Sequence, residues 1–96
     1  MYSEIYRTRN NIEIEESNFE LEDDVLVFDP QLNKVYVLNK TAGYILYLLR
    51  KEMGLNELID ALCQTFKPVN DIEFDVRVIL TDFKKHSLVE VRQINQ

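Results

Sequence analysis

The chain has little of what most active sites and most covalent staples are made from. It contains one cysteine, one histidine, two glycines, two prolines and no tryptophan in 96 residues. A single cysteine, Cys63, excludes an internal disulfide, and its place beside Leu62 in a helical pattern reads as a small buried hydrophobe rather than a reactive thiol. The single histidine, His86, stands far from it near a helix end, where a capping or surface position accounts for it better than a ligand or a base. No CxxC, HExxH, GxSxG or glycine-rich phosphate loop occurs, and Ser3, Ser17 and Ser87 have no recognisable partners. Nothing in the sequence favours an enzyme, a metal or a cofactor.

Long apolar runs are also missing, which argues against a transmembrane segment. The start, MYSEIYRTRN, lacks the apolar stretch of a signal peptide, so a cytoplasmic protein is expected. Positive charge is in short supply: 11 Lys and Arg stand against 17 Asp and Glu, a net charge of −6. That balance argues against nucleic acid as the main partner, though not against a local basic face. Acidic residues cluster from Glu13 to Asp24, whereas Arg77, Lys84 and Lys85 gather toward the other end of the chain. Two faces of opposite sign are expected.

What the chain does have is one well-marked stretch, Val25 to Arg50. Val25–Phe28 and Val35–Leu38 are β-branched, aromatic and aliphatic runs of strand length, joined by Asp29-Pro30-Gln31-Leu32-Asn33-Lys34, which has turn chemistry. This is an antiparallel hairpin. Asn39 follows as an N-cap, and Ala42, Ile45, Leu46 and Leu49 recur at helical spacing. Gly43 inside that helix signals close backbone packing or mere tolerance. Gly54 suits a left-handed C-terminal cap, and a second helix from Asn56 to about Phe66 buries Leu58, Ile59, Leu62 and Phe66. Asn70 and Glu73 form a variant capping box for a third helix, whose core stripe is Ile72, Val76, Ile79, Leu80 and Phe83. Leu88–Val91 is a short terminal strand or an extended tail.

Upstream of the hairpin, Ile12–Glu15 and Phe19–Glu22 each alternate at period two, and either could pair with Val25–Phe28. Their acidic residues read as the wet side of half-buried strands. The expected domain plan is a flexible or loosely packed stretch over residues 1–11, one domain over 12–91 and a tail over 92–96. Fold class is α+β: a three-stranded antiparallel sheet followed by three helices, in a winged helix-turn-helix-like arrangement.

Two features of that plan bear on function. In a three-stranded meander, Val35–Leu38 lies at the sheet edge, with unpaired main-chain groups that Pro or charge would normally blunt. Every residue of this strand is apolar or Tyr, so it either invites a partner strand or is covered by another element of the chain. The third helix carries a second stripe, Phe74, Val78, Thr81 and Lys85, flanked by Arg77 and Lys84. That stripe belongs either to a wide core face or to a second contact surface.

The order of elements, Leu38-Asn39, Thr41-Ala42-Gly43-Tyr44-Ile45-Leu46-Tyr47-Leu48-Leu49, Leu58-Ile59 with Leu62 and Phe66, Asp75-Val76, and Ser87-Leu88-Val89 resemble the PqqD-like family. This is the recognition element of ribosomally made, post-translationally modified peptide (RiPP) biosynthesis. The resemblance covers about Phe19 to Val91, and it departs at Ser87, where the family commonly has Gly, and at the slightly long Lys51–Gly54 connection. It implies a non-catalytic peptide chaperone that takes the leader of a precursor peptide as a fourth strand, between the third strand and third helix. Val35, Tyr36, Val37 and Leu38 would then offer the main-chain ladder. Phe74, Val78 and Thr81 would line the floor, and Arg77, Lys84 and Lys85 would attract acidic leader side chains. The implied partners are a precursor peptide and a separate modifying enzyme: a radical SAM enzyme, a leader protease or a lasso-type cyclase. No membrane or nucleic-acid partner is expected, and the chain would be a monomer or weak homodimer. Two other classes fit the same elements, a DNA-binding winged helix and a homodimerising interaction module.

Overall fold

In the computed structural model, which describes residues 2–15, 24–66 and 71–95, the chain runs β1 (Tyr2–Thr8), β2 (Glu13–Ile14), β3 (Asp24–Asp29), β4 (Lys34–Asn39), α1 (Lys40–Leu48), β5 (Met53–Gly54), α2 (Leu55–Thr65), α3 (Ile72–Lys85) and β6 (Val89–Asn95). The class is α+β, with an antiparallel sheet in the order β2-β3-β4 and three helices. A second antiparallel sheet, in the order β5-β1-β6, was not expected.

The hairpin forms as its residues dictate. Val25 faces Leu38 and Asp29 faces Lys34 across β3 and β4. In the turn, the Asp29 carboxylate accepts hydrogen bonds from the Gln31 and Leu32 amides at 3.1 and 3.3 Å. Asn33 takes a positive φ of 53°, a conformation Asn tolerates better than most residues. On the far side of β3, Glu13 faces Phe28 and Ile14 faces Val27, so the Ile12–Glu15 segment supplies the partner, in a strand of only two residues. The alternative, Phe19–Glu22, lies outside the described residues.

Helix α1 begins where the hairpin stops, because the Asn39 side chain accepts the Ala42 amide at 2.8 Å. Ala42, Ile45, Leu46 and Leu49 are buried against β3. Gly43 is a matter of space: a Cβ there would lie 2.5 Å from the Cβ of Val25. Helix α3 starts at Asp71, whose side chain accepts the Phe74 amide at 3.2 Å, one residue later than the expected cap at Asn70. Val76, Leu80 and Phe83 from α3 join Leu58 and Leu62 from α2 in the same core.

Four expectations are corrected. The N-terminal residues are not loosely packed: β1 pairs with β6 from Tyr2↔Asn95 to Thr8↔Val89 and with β5 at Ile5↔Gly54. Thr8 donates from its amide to the Leu49 carbonyl and from Oγ1 to the Leu46 carbonyl, both at 2.7 Å, satisfying acceptors that the end of α1 leaves open. Residues 92–95 likewise continue β6 rather than trail off. Gly54 is not a left-handed cap. Its φ is −83°, and it sits at the start of α2, where its amide donates to the Glu57 carboxylate at 3.3 Å. Cys63 is exposed, on the wet side of α2 next to the buried Leu62.

The left-handed cap lies instead at the end of α3. The Leu88 amide donates to the Phe83 carbonyl and the Ser87 amide to the Lys84 carbonyl, at 2.9 and 3.2 Å, with Ser87 at φ 58°. This is the paired bonding of a Schellman motif, normally built on Gly.

One ion pair joins the two sheets. Arg9, just beyond β1, meets the fully buried Asp29 at the end of β3, and the Arg9 amide donates to the Leu88 carbonyl at 3.0 Å. Desolvation pushes the Asp29 carboxyl up, but the Arg9 guanidinium and the Leu32 and Gln31 amides outweigh it and hold the group below the usual carboxylate range.

Three outcomes follow from these contacts. Gly43→Ala should cost about 1–3 kcal/mol by forcing α1 off β3, whereas Gly54→Ala should change stability by less than about 0.5 kcal/mol; chemical denaturation of the two variants distinguishes them, and equal effects would contradict the packing account. Ser87→Gly should raise the thermal midpoint by about 2–6 °C, since relief of left-handed strain exceeds the added freedom of the unfolded chain; a lower midpoint would contradict it. Asp29→Asn should lower the thermal midpoint by several degrees at neutral pH. Because the folded carboxyl titrates below its unfolded value, the parent's advantage is complete above about pH 4 and is lost as pH falls through the folded value. A gap between parent and variant that stayed constant into acid would exclude the ion pair as its source.

Candidate functional site

Strand β4 has β3 on one side and, among the described residues, no strand on the other. Which of its main-chain groups are free follows from the strand beyond β3. The Glu15 amide donates to the Leu26 carbonyl at 2.9 Å, so the main-chain groups of Leu26 point toward β2. In an antiparallel sheet both groups of a residue point the same way, and hydrogen-bonded and non-hydrogen-bonded pairs alternate. Leu26↔Val37 is therefore a non-hydrogen-bonded pair, as is Phe28↔Val35, while Val25↔Leu38 and Val27↔Tyr36 carry the ladder. The N–H and C=O groups of Val35 and Val37 thus face the open edge, and those of Tyr36 and Leu38 are engaged with β3. The expected four-residue ladder reduces to two residues, with four groups that have no partner among the described residues.

Side chains alternate along the same strand. Tyr36 and Leu38 turn toward the helices and are half-buried, with the Tyr36 ring 5.6 Å from that of His86 at the end of α3. Val35 and Val37 turn to the outer face and are each 63% exposed.

A cleft of about 530 Å³ opens between the Asn39 end of β4 and α3. Leu38, Ala42, Val78, Ile79 and Phe83 supply its apolar lining. Val37, Asn39, Thr81, Asp82 and Lys85 complete it with mostly polar groups, and the Thr81 hydroxyl donates back to the Arg77 carbonyl at 2.8 Å. α1 contributes only Ala42 to this lining, and α3 contributes the β-branched Val78, Ile79 and Thr81 beside Phe83.

The structure brings Val37, Leu38, Val78, Thr81 and Lys85 together here and leaves other expected members elsewhere. Phe74 is 63% exposed one turn before Val78 on α3 and does not line the cleft. Arg77 and Lys84 face the N-terminal strand instead. Arg77 lies 3.6 Å from Glu73 and borders a separate polar depression beside Glu4 and Tyr6. Lys84 lies 3.9 Å from Glu4 and 6.0 Å from the centre of the Tyr6 ring. Burial, together with the Glu4 carboxylate that accepts its hydrogen bond, pushes the Tyr6 phenol up to about 12. Only Lys85, of the three expected cations, stands at the cleft. Ala42, Ile79 and Phe83 were assigned to the core alone, yet each also lines the cleft; their helical spacing signals burial and does not show where the burial ends.

Among the described residues no cluster of His, Cys, Asp and Glu could hold a metal ion, and no helix is long and apolar enough to cross a membrane.

A solved structure of TbiB1 in complex with the TbiA(beta) leader peptide shares this fold, with a TM-score of 0.67 at 21% identity, over 88% of this chain and 94% of that one. Among curated proteins no match is found. The profile of the PqqD family, coenzyme PQQ synthesis protein D, matches residues 24–89, from the first residue of β3 to the first of β6, and the chain belongs to that family.

Proposed function

We propose that the chain captures the leader segment of a ribosomally made precursor peptide as a strand added to β4 and presents it to a separate modifying enzyme. The observation that carries this reading is the open edge itself. Four main-chain groups on Val35 and Val37, without a partner among the described residues, stand beside an apolar cleft, on a strand with no Pro and with charge only at Lys34. Membership of the PqqD family supports it, as does the likeness to a TbiB1 chain that was solved with a leader peptide. Backbone bonds would give affinity, and cleft-facing side chains selectivity. Lys85, which lines the cleft as Arg77 and Lys84 do not, would be the cation to meet an acidic leader residue.

The domain does no chemistry of its own. It holds the leader so that the rest of the precursor meets its enzyme at high effective concentration. Candidate enzymes are a radical SAM enzyme, a leader protease and a lasso-type cyclase. A DNA-binding role fits poorly, because Asp71, Glu73 and Asp75 are exposed at the start of α3 and would repel phosphate.

Val37→Pro should weaken binding of a precursor leader peptide by at least about tenfold, with the fold retained, since the Val37 amide makes no bond to β3. Tyr36→Pro should instead unfold the hairpin, because that amide lies in the ladder. Calorimetric titration and circular dichroism on the two variants check both statements. Undiminished leader binding by the folded Val37→Pro variant would contradict strand addition.

A further inference from the structure

The parity of β4 says more about the peptide than that it is extended. Resting on the strand-addition reading above, we infer that the captured segment is apolar on both of its faces, with two apolar side chains two residues apart laid over Val35 and Val37 on the outer face of the sheet. Residues directly opposed across two strands share a face. The free main-chain groups belong to Val35 and Val37, so a strand docked there sets residues directly opposite these two, and those residues project to the outer side, next to the two valine side chains. The peptide residue between them, opposite Tyr36, turns to the helix side, as does the one opposite Leu38, which enters the cleft.

The outer face is prepared for such cover. Exposure of its apolar residues rises toward the open edge, from half-buried Phe28 and 46% at Leu26 on β3 to 63% at Val35 and Val37 on β4. On the opposite margin, β2 offers the exposed Glu13 across from Phe28. The outer face is thus polar at the β2 margin and apolar at the β4 margin. Val35 and Val37, side by side on the edge strand and continuous with Leu26, form an exposed apolar patch that an added strand would cover. A peptide with charged outward residues would leave them wet and set its own charges against them, whereas β-branched or aromatic outward residues would cover both. A plain half-buried strand alternates apolar and polar at period two; the segment inferred here is an unbroken apolar run.

The test uses the full chain and a display library of random short peptides. Selection on the parent should enrich unbroken apolar runs. Selection on the double variant Val35→Thr, Val37→Thr, which keeps β-branched residues on an exposed face, should enrich apolar-polar alternation. Peptides selected on the parent should bind the double variant about tenfold more weakly. Alternating peptides from both selections, bound by the parent but not by Val37→Pro, would overturn this inference and leave strand addition standing. Peptides that bind Val37→Pro as well as the parent, or the absence of any enrichment on the parent, would overturn both.

Discussion

Strand β3 is held at both ends, and the rest of the molecule takes its position from that. At one end Val25 lies beneath Gly43 at a distance no side chain would allow, which lays α1 flat on the strand. At the other, Asp29 is buried against Arg9 and closes the hairpin turn through two backbone amides. With β2 on one flank and α1 beneath it, β3 leaves β4 one neighbour and a fixed register. That register decides which main-chain groups are left over.

The second sheet acts as a brace. Strand β1 binds the last carbonyls of α1 through Thr8 and hands Arg9 to β3, while β6 follows directly from the Schellman turn after α3. The end of α3 and the end of β3 are therefore tied to the same short stretch of chain. A cleft between β4 and α3 stays open only if those two elements cannot slide together. The buried pair at Asp29, the Ser87 turn and the Tyr36–His86 contact all resist that movement at the end of the cleft remote from Asn39.

Much of this was legible in the residues. The hairpin, the Asn39 cap, the α1 core stripe and the apolar edge strand are local patterns, and each appears where its spacing places it. So does the exposed stripe of α3, with Phe74 and Val78 in the open. What could not be read is non-local. Tyr2–Thr8 has mixed polarity because it is a strand whose partner lies at the far end of the chain, and nothing near it in sequence shows the pairing. Arg77 and Lys84 lie two turns apart on α3 and look like neighbours of Lys85, yet that line of the helix faces Glu4 and Tyr6. Cys63 and Leu62 are adjacent in sequence and fall on opposite sides of the burial boundary of α2. The split of β4 into free and engaged residues depends on how Glu15 meets Leu26, a contact two strands away.

Amide hydrogen exchange of the four β4 residues, followed by NMR with and without leader peptide, addresses the central claim most directly. In the free chain Tyr36 and Leu38 should be protected while Val35 and Val37 exchange quickly, and saturation with peptide should bring Val35 and Val37 to the protection of their neighbours. Protection of Val35 and Val37 before any peptide is added, or their continued rapid exchange at saturation, would contradict the account.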